Sequence, residues 1–312
     1  MIAVPDAVAR LSAALGDGPA ARLAASALVE ADALGLPRFG IAMLDEWRAD
    51  AAPLAATPEP QAISWRDCSA CFAPLAVASA TLDLEAAARQ FGIAAVFLRG
   101  IRGFGRLAPF VRHLADAGLV GLAGAEGPPF VAPHGGTKAV IGTNPLAIAM
   151  GQGPERVVID VASSSATMAD IRTARATNRP LPGGIALDAQ GRPTSIAAEV
   201  AALLPRGGQV GSLLGLVVEL MAGIAGGGRG DPKGRGVFLL ALDSTAAGES
   251  IDWQVRLAGL KSDWIDAGGH WPRGGGLPAE ATLDAAFARR LDAHLDRMTS
   301  RGNPVMQRTY PR

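Results

Sequence analysis

Strand-like and helical segments alternate along the middle of the chain, and this alternation restricts the fold more than any other feature. A helical pattern over 81–91 stops at Gly92, and an apolar run of strand type follows over 93–98. A helix over 107–117 and a strand over 119–123 repeat the pattern. Further elements are predicted as strands at 139–141, 146–150, 157–161 and 237–242, and as an apolar helix at 212–224. Such alternation is typical of an α/β fold.

Both ends of the chain have helical periodicity instead. Pro19 opens a helix near the N-terminus, and a charged amphipathic helix is predicted over 280–298. We expect the two ends to pack together as one discontinuous domain around the α/β centre. The predicted domains are a helical domain formed by residues 1–80 and 246–312 and a cofactor-binding α/β domain formed by residues 81–245.

Composition narrows the class of partner. Hydrophobic residues make up 49% of the 312 residues and charged residues 19%, which is typical of a globular protein. Lys plus Arg equals Asp plus Glu, at 29 each, so no basic surface for nucleic acid is predicted. No apolar run is long enough to cross a membrane. We therefore expect a cytoplasmic protein whose partner is a small molecule, with no nucleic acid and no membrane.

The two cysteines, Cys68 and Cys71, have C-x-x-C spacing. That spacing occurs in redox pairs and in halves of zinc sites. A second cysteine pair or a histidine-rich partner segment is missing, so the sequence favours two reduced thiols. The histidines are scattered along the chain, and no metal is predicted.

Glycines and hydrogen-bonding side chains cluster near the centre of the α/β segment. Pro133-His134-Gly135-Gly136 is followed closely by Gly142-Thr143-Asn144-Pro145. Glycine lets a backbone approach a ligand, and Thr and Asn supply hydrogen bonds. On local chemistry alone the stretch is more simply a turn between strands, so a binding role depends on what accompanies it.

Several motifs in the same order resemble the malate/L-lactate dehydrogenase family, which includes ureidoglycolate, sulfolactate and cyclic-imine-carboxylate oxidoreductases. The Gly-Gly, spacer and Gly-Thr-Asn-Pro of residues 135–145 resemble its signature. Residues 159–164 resemble its Asp-x-Ala-Thr-Ser segment, and residues 181–194 its Pro-x-Gly-x-Ala-x-Asp-x-x-Gly-x-Pro-Thr segment. Gly207-Gly208 and the helix that carries Glu219 continue the likeness.

The resemblance implies a non-Rossmann cofactor domain with a mixed sheet, in a homodimer whose active site lies between domains and includes the second subunit. It also implies NAD or NADP as the cofactor. The residues that would line the cofactor site by this resemblance are Gly136, Gly142, Thr143, Asn144, Pro145, Asp160, Ser163, Ser164, Asp188, Gly207 and Gly208. The alternative for each is a purely structural role in a turn.

The chain departs from the family pattern at the residues that transfer protons. Where the family has Ser-His-Gly-x-x-Arg after its first long helix, this chain has Arg38-Phe39-Gly40-Ile41-Ala42-Met43. The second family histidine precedes Phe-Gly, and Gly103 stands there instead. Two family lysines are replaced by Asp170 and Val210.

Hydride transfer to a carbon that bears oxygen or nitrogen needs a proton donor and a cation for the substrate carboxylate. His134 and Lys138 flank the Gly-Gly turn and are the candidate catalytic donors. The candidate substrate-binding cations are Arg38 and Arg102, with Arg99 and Arg106 as further possibilities. For all of these arginines the alternative is a solvated surface position.

These observations are compatible with two functions, one of an enzyme and one of a binding protein. The first is an NAD(P)H-dependent oxidoreductase that reduces a small 2-oxo acid, a cyclic imine carboxylate or a related carbonyl or imine with a non-standard proton donor. The second is a catalytically silent homologue that binds a nucleotide or metabolite, or serves as a partner subunit. The Gly-Thr-Asn-Pro loop favours the first, and the missing Ser, His and Arg favour the second.

A rival motif predicts a different fold. Gly103-Phe104-Gly105-Arg106-Leu107-Ala108 has the G-x-G-x-x-A pattern between a strand and a helix, and Glu126 stands about where a ribose-binding acid would follow. Four residues separate Leu98 from Gly103, which is too long for the tight turn of a Rossmann fold. The sequence therefore favours the non-Rossmann alternative.

Overall fold

A computed structural model describes residues 1–47, 59–230, 235–246, 253–272, 275–278 and 280–300. Within these ranges the strands are β1 (Ile2–Ala3), β2 (Ile63–Asp67), β3 (Ile93–Ile101), β4 (Val120–Ala125), β5 (Pro145–Met150), β6 (Val157–Ala162), β7 (Ala186–Leu187), β8 (Ala202–Leu203), β9 (Arg235–Leu242) and β10 (Thr282–Leu283). The α-helices are α1 (Val4–Leu15), α2 (Pro19–Ala33), α3 (Ala73–Phe91), α4 (Ala108–Asp116), α5 (Met168–Thr177), α6 (Gln209–Val218), α7 (Trp253–Asp266) and α8 (Ala285–Ser300).

The central sheet is mixed. Across the described residues its strand order is β2-β3-β9-β4-β5-β6, with β2 and β3 parallel and every other neighbouring pair antiparallel. A Rossmann fold would need β3 and β4 to be neighbouring parallel strands joined by a helix, but β9 lies between them and is antiparallel to both. The Rossmann alternative is therefore wrong, and the mixed-sheet prediction is confirmed.

Helices cover the sheet on both faces. The period of two along each strand places alternate side chains on opposite faces. Val96 and Leu98 of β3 join the core formed with α3 and α4, whereas Phe97 packs on the other face against Val218 of α6. A π-helical turn, Glu219–Ala225, extends α6 over this second face.

The two ends of the chain meet. β1 pairs antiparallel with β10, and α1 packs against both α2 and α8. Leu11 and Leu28 share the main core with Phe287 and Leu291 of α8. The domain boundaries at residues 80 and 245 stay a prediction. In the structure β2 belongs to the central sheet, and α3 begins at Ala73, on the N-terminal side of that boundary.

A smaller lobe is formed by two segments of the chain, the one that joins β4 to β5 and the one that joins β6 to α6. Its core includes Val131, Ile141, Ile171 and Leu203, and the short pair β7–β8 belongs to it. The same segments carry the predicted cofactor residues, except Pro145 in β5 and Asp160 in β6.

Three local predictions need correction. The strand at 139–141 is absent, because Ile141 forms only an isolated bridge to Val131. The helix predicted from residue 81 begins at Ala73, since the alanine-rich first turns give a weak amphipathic pattern. The C-terminal helix begins at Ala285 rather than at residue 280, because Thr282 and Leu283 pair with β1.

None of the helices described is both long and apolar enough to cross a bilayer.

Candidate active site

The Gly-Thr-Asn-Pro loop is held by the side chain of Asn144. Asn144 is fully buried and has a positive φ of 34°. Its Nδ2 donates to Gly215 O and to Glu219 Oε2, both at 2.9 Å, and its Oδ1 accepts from Gly127 N at 3.1 Å. One amide therefore ties three segments together. Its predicted contact with a cofactor stays a prediction, and its visible role is positional.

Gly142 lets two loops approach closely. A Cβ on Gly142 would lie 2.5 Å from Gly127 Cα, a distance that no side chain can occupy. The next residue, Thr143, accepts hydrogen bonds from both Ser163 N and Ser163 Oγ through its carbonyl oxygen, at 3.0 and 2.9 Å. The pairing of β5 with β6 begins immediately after this loop, where Pro145 lies opposite Ala162. The structure thus brings together the 142–145 and 160–164 segments.

Asp160 faces a different part of the molecule. Its Oδ2 accepts from Ala108 N, 3.0 Å away, in the first turn of α4. Burial raises the pKa of Asp160, which the hydrogen bond from Ala108 and the charge of Arg106 oppose. A carboxylate at a helix N-terminus stabilises the helix. Asp160 therefore anchors α4 to β6, and its predicted part in cofactor binding stays a prediction.

Asp188 closes a tight turn. Its Oδ1 accepts from Gln190 N and Arg192 N, both at 2.9 Å, and its Oδ2 accepts from Arg192 Nε at 3.0 Å. The backbone hydrogen bond from Arg192, together with the other donors, lowers the pKa of Asp188. Gly191 in this turn packs on Thr137, so the turn supports the 133–138 loop.

His134 and the Gly207-Gly208 turn are neighbours. A Cβ on Gly208 would lie 3.3 Å from His134 Cε1 and Nδ1. Both glycines have positive φ, 62° and 67°, which favours glycine. His134 N donates to Ser212 Oγ at 3.2 Å, which joins the loop to α6. The His134 side chain is exposed, as is that of Lys138 in the same loop.

Residues 38–46 and 102–105 form a second corner of the molecule, called the glycine corner here. A Cβ on Gly105 would lie 3.2 Å from Phe39 O. A Cβ on Gly103 would lie 3.5 Å from Met43 Cε and 3.8 Å from Glu46 Oε2. Glu46 is exposed. The sequence analysis did not single it out as a site residue, because only its place shortly after Gly40 connects it with this corner.

The two candidate substrate cations lie on this side of the molecule. Arg38 lines a cavity of about 370 Å³ between the 35–39 turn and α5, to which Asp170 and Arg179 also contribute. Arg102 is exposed on the segment between β3 and α4. The structure places Arg38 beside an open cavity, and its binding of a substrate carboxylate stays a prediction.

A buried pair of acids was not anticipated. Glu126 and Glu219 line a cavity of about 290 Å³ together with Arg229. Glu219 forms an ion pair with Arg229, and Glu126 Oε1 accepts from Gly236 N at 3.1 Å. Burial raises the pKa of Glu126, and the nearby Glu219 adds to the effect. In the sequence, this pair is indicated by Glu219, an acid on the otherwise apolar helix formed by α6 and its extension.

Among the described residues, no three or more His, Cys, Asp or Glu side chains are grouped to hold a metal ion.

Residues 7–260 match the family model described as malate/L-lactate dehydrogenase. The chain belongs to this family. It is 32% identical over 245 residues to a (2R)-3-sulfolactate dehydrogenase (NADP(+)) of Chromohalobacter salexigens, with 72% of this chain and 74% of the relative covered.

Reductases are among its other relatives. The chain is 38% identical over 166 residues to a Δ1-pyrroline-2-carboxylate/Δ1-piperideine-2-carboxylate reductase of Pseudomonas putida, covering 52% of this chain and 49% of that protein. The match therefore spans about half the length of that relative. The crystal structure of Δ1-piperideine-2-carboxylate reductase from Pseudomonas syringae is 26% identical, covers 96% of this chain and 99% of that one, and has a TM-score of 0.75.

The glycine corner brings together the two stretches in which this malate/L-lactate dehydrogenase family member lacks a family histidine. Phe39 stands in the stretch equivalent to the first family histidine, and Gly103 stands in place of the second. The contacts of Gly103 and Gly105 with Met43 and Phe39 show that both substitutions lie at one corner. Neither position carries a side chain that can transfer a proton.

Proposed function

We propose that this family member is an NAD(P)H-dependent oxidoreductase that reduces a small cyclic imine carboxylate, with 2-oxo acids as poorer substrates. The observation that supports this most is the glycine corner, which holds Phe39 and Gly103 at the two positions without a histidine. The reductase names of the Pseudomonas relatives agree with the proposal.

The chemistry of the two substrate types differs in its demand for an acid. A carbonyl that accepts hydride develops negative charge on oxygen, which a positioned acid must neutralise. An iminium already carries its proton, so its nitrogen becomes a neutral amine when hydride arrives. The lack of a proton-transferring side chain at positions 39 and 103 is therefore compatible with imine reduction and penalises reduction of 2-oxo acids.

A nicotinamide dinucleotide, NAD or NADP, is the proposed cofactor. When bound it supplies the hydride. The loops fit such a group, because Gly207 has positive φ and no atom within 4 Å of an added Cβ, so its backbone faces open space. The residues proposed to hold the cofactor are Gly136, Gly142, Thr143, Asn144, Pro145, Ser163, Ser164, Gly207 and Gly208, with Asp160 and Asp188 as anchors of neighbouring elements.

The chain's own groups would orient the substrate. Arg38 is proposed to bind its carboxylate from the cavity beside α5, with Arg102 on the adjoining segment as the second cation. Where a 2-oxo acid is reduced, the proton would come from His134, which is exposed beside the Gly207-Gly208 turn, or from Lys138.

A homodimer is the proposed assembly. One face of α6 and its π-helical extension covers the sheet, but the other presents apolar side chains that are each between 45% and 75% exposed. These side chains are Val210, Leu213, Leu216, Val217, Leu220 and Ile224. An apolar stripe of this size is more typical of an interface than of a free surface. Light scattering at micromolar concentration should give the mass of a dimer.

The deciding experiment is titration with NADH and NADPH, followed by nucleotide fluorescence, and then turnover assays with Δ1-pyrroline-2-carboxylate and with pyruvate. The proposal expects cofactor binding and faster turnover of the imine. Binding without turnover of either substrate would favour the silent homologue, which the absence of the family Ser, His and Arg supports. Absence of binding would contradict the cofactor assignment.

A further inference from the structure

The two cysteines are in contact at the start of α3. Cys71 N donates to Cys68 O at 2.9 Å, which closes a turn between the end of β2 and Phe72, the residue that caps α3. The Cys68 thiol donates a weak hydrogen bond to Arg66 O at 4.0 Å. The two cysteines therefore lie in one tight turn, of the length that a C-x-x-C disulfide spans.

The two thiols differ in access and in acidity. Cys68 is 1% exposed, whereas Cys71 is half-buried. The interaction with Cys71 and burial raise the pKa of Cys68, and the same interaction with Cys68 lowers the pKa of Cys71. The charge of Asp67 opposes ionisation of both thiols, and Arg66 favours that of Cys68. Because the thiolate is the nucleophile, Cys71 is the thiol equipped to react first.

The backbone around the pair is held from several sides. Cys68 N donates to Arg99 O at 2.8 Å, and Ser69 N donates to Asp67 Oδ1 at 2.9 Å. Gly100 of β3 packs so closely that an added Cβ would lie 2.7 Å from Ser69 N. On the other side, Phe72 meets Trp47 edge to face, with ring centroids 5.2 Å apart. The turn can therefore keep its shape while the bond between the sulfur atoms forms.

We propose that Cys68 and Cys71 are a reversible dithiol/disulfide site that reacts with low-molecular-weight disulfides. The Cys71 thiolate attacks one sulfur of the disulfide RSSR, forms a mixed disulfide and releases RS⁻. Cys68 then loses its proton to solvent and attacks the Cys71 sulfur, which expels the second RS⁻. In sum, two protein thiols and RSSR give one protein disulfide and two RSH, so the protein is oxidised by two electrons.

A metal role fits these residues less well. Two thiolates supply half of a tetrahedral zinc site, and no third His, Cys, Asp or Glu joins them among the described residues. The proposal is also independent of hydride transfer, since it uses none of the loops assigned to the cofactor.

The test is performed on the full chain in buffers of reduced and oxidised glutathione, with acid quenching, alkylation of free thiols and intact-mass measurement. The wild-type protein should lose both thiols together, with a mass lower by two hydrogens, and dithiothreitol should restore them. Cys68→Ser should stop at a glutathione adduct on Cys71, because no second thiol can resolve it. Cys71→Ser should remain unmodified, since Cys68 is buried.

Two outcomes would overturn the proposal. In the first, the folded wild-type protein keeps two alkylatable thiols in excess oxidised glutathione. In the second, the wild-type protein stops at the same glutathione adduct as Cys68→Ser. Circular dichroism of each sample verifies that the thiols are measured in folded protein, and the wild-type result stands even if one variant does not fold.

Discussion

The loops around Asn144 and the glycine corner differ in how their side chains are used. The side-chain amide of Asn144 is bonded within the chain at both its oxygen and its nitrogen, and it holds Glu219 and Gly127. At the glycine corner, Arg38, Arg102 and Glu46 are exposed. The comparison teaches that the family motif is retained where its side chains also hold the fold. It is lost at the glycine corner, where Met43 stands in place of the family arginine and is buried against the core.

The largest expected effect comes from Asn144→Ala. The change leaves Gly127 N, Gly215 O and one oxygen of Glu219 without their partner in a buried site, and we expect a loss of about 3 kcal/mol in the free energy of unfolding. Asn178→Ala is the matched control, because Asn178 also has positive φ, 50°, but is exposed at the end of α5. This variant should lose about 1 kcal/mol in the free energy of unfolding, because only the left-handed backbone disfavours alanine there. Urea unfolding measures both losses. Equal losses would show that the hydrogen bonds of the Asn144 side chain do not add to stability.

The next effect separates the two substrate types. His134→Ala should slow reduction of a 2-oxo acid about 100-fold, because the developing alkoxide loses its acid. Reduction of a cyclic imine should stay nearly unchanged. Lys138→Ala, in the same exposed loop, is the control and should leave both rates unchanged.

The measurement is kcat/KM for each substrate at saturating cofactor. If Lys138→Ala slows the 2-oxo acid and His134→Ala does not, the donor is the lysine. A fall of both rates together in His134→Ala would point to a role in binding instead.

A smaller effect tests how tightly the cofactor loops are packed. Gly142→Ala places a methyl group 2.5 Å from backbone atoms of Gly127, so we expect a loss of about 2 kcal/mol in stability. Gly183→Ala is the control, because nothing lies within 4 Å of its added Cβ and its φ is not positive. That variant should be unchanged or gain up to about 1 kcal/mol. Thermal unfolding compares the two, and similar midpoints would contradict the close approach.

The smallest expected effect concerns Glu126. Burial raises its folded-state pKa above the ordinary 4.5, so the folded protein is penalised when this carboxyl ionises. Glu126→Gln should therefore stabilise the protein at pH 7 by about 1 kcal/mol or less, while keeping an acceptor for Gly236 N. As pH falls through the raised pKa the wild-type carboxyl becomes neutral, and the difference should vanish. Urea midpoints at pH 7 and in acid give the comparison, and a variant that is less stable at pH 7 would contradict it.

Much of the fold follows from local pattern. The apolar runs that became β3, β4, β5, β6 and β9 are visible in the sequence because one or both faces of each strand are buried. α3 was predicted too short, and α5 and α7 were not predicted. The alanines of α3 and the polar surface of α5 carry little amphipathic signal, so tertiary contacts decide where these helices begin and end.

The site divides in the same way. Its loops were found because Gly-Thr-Asn-Pro and Gly-Gly are short, ordered motifs. The contact of His134 with the Gly208 turn and that of Gly103 with Met43 join residues far apart in the chain. Spacing along the sequence carries no information about such pairs.

The sequence by itself determined the family, the mixed α/β fold and the absence of the family histidines, because these depend on residue types in a fixed order. Only the tertiary structure decided that both histidine positions lie at one corner, that the Asn144 side chain is bonded inside the chain, and that Cys68 and Cys71 differ in exposure. The physical reason is that burial and electrostatic environment are set by neighbours that the fold brings from distant segments. A residue's chemistry depends on those neighbours as much as on its own side chain.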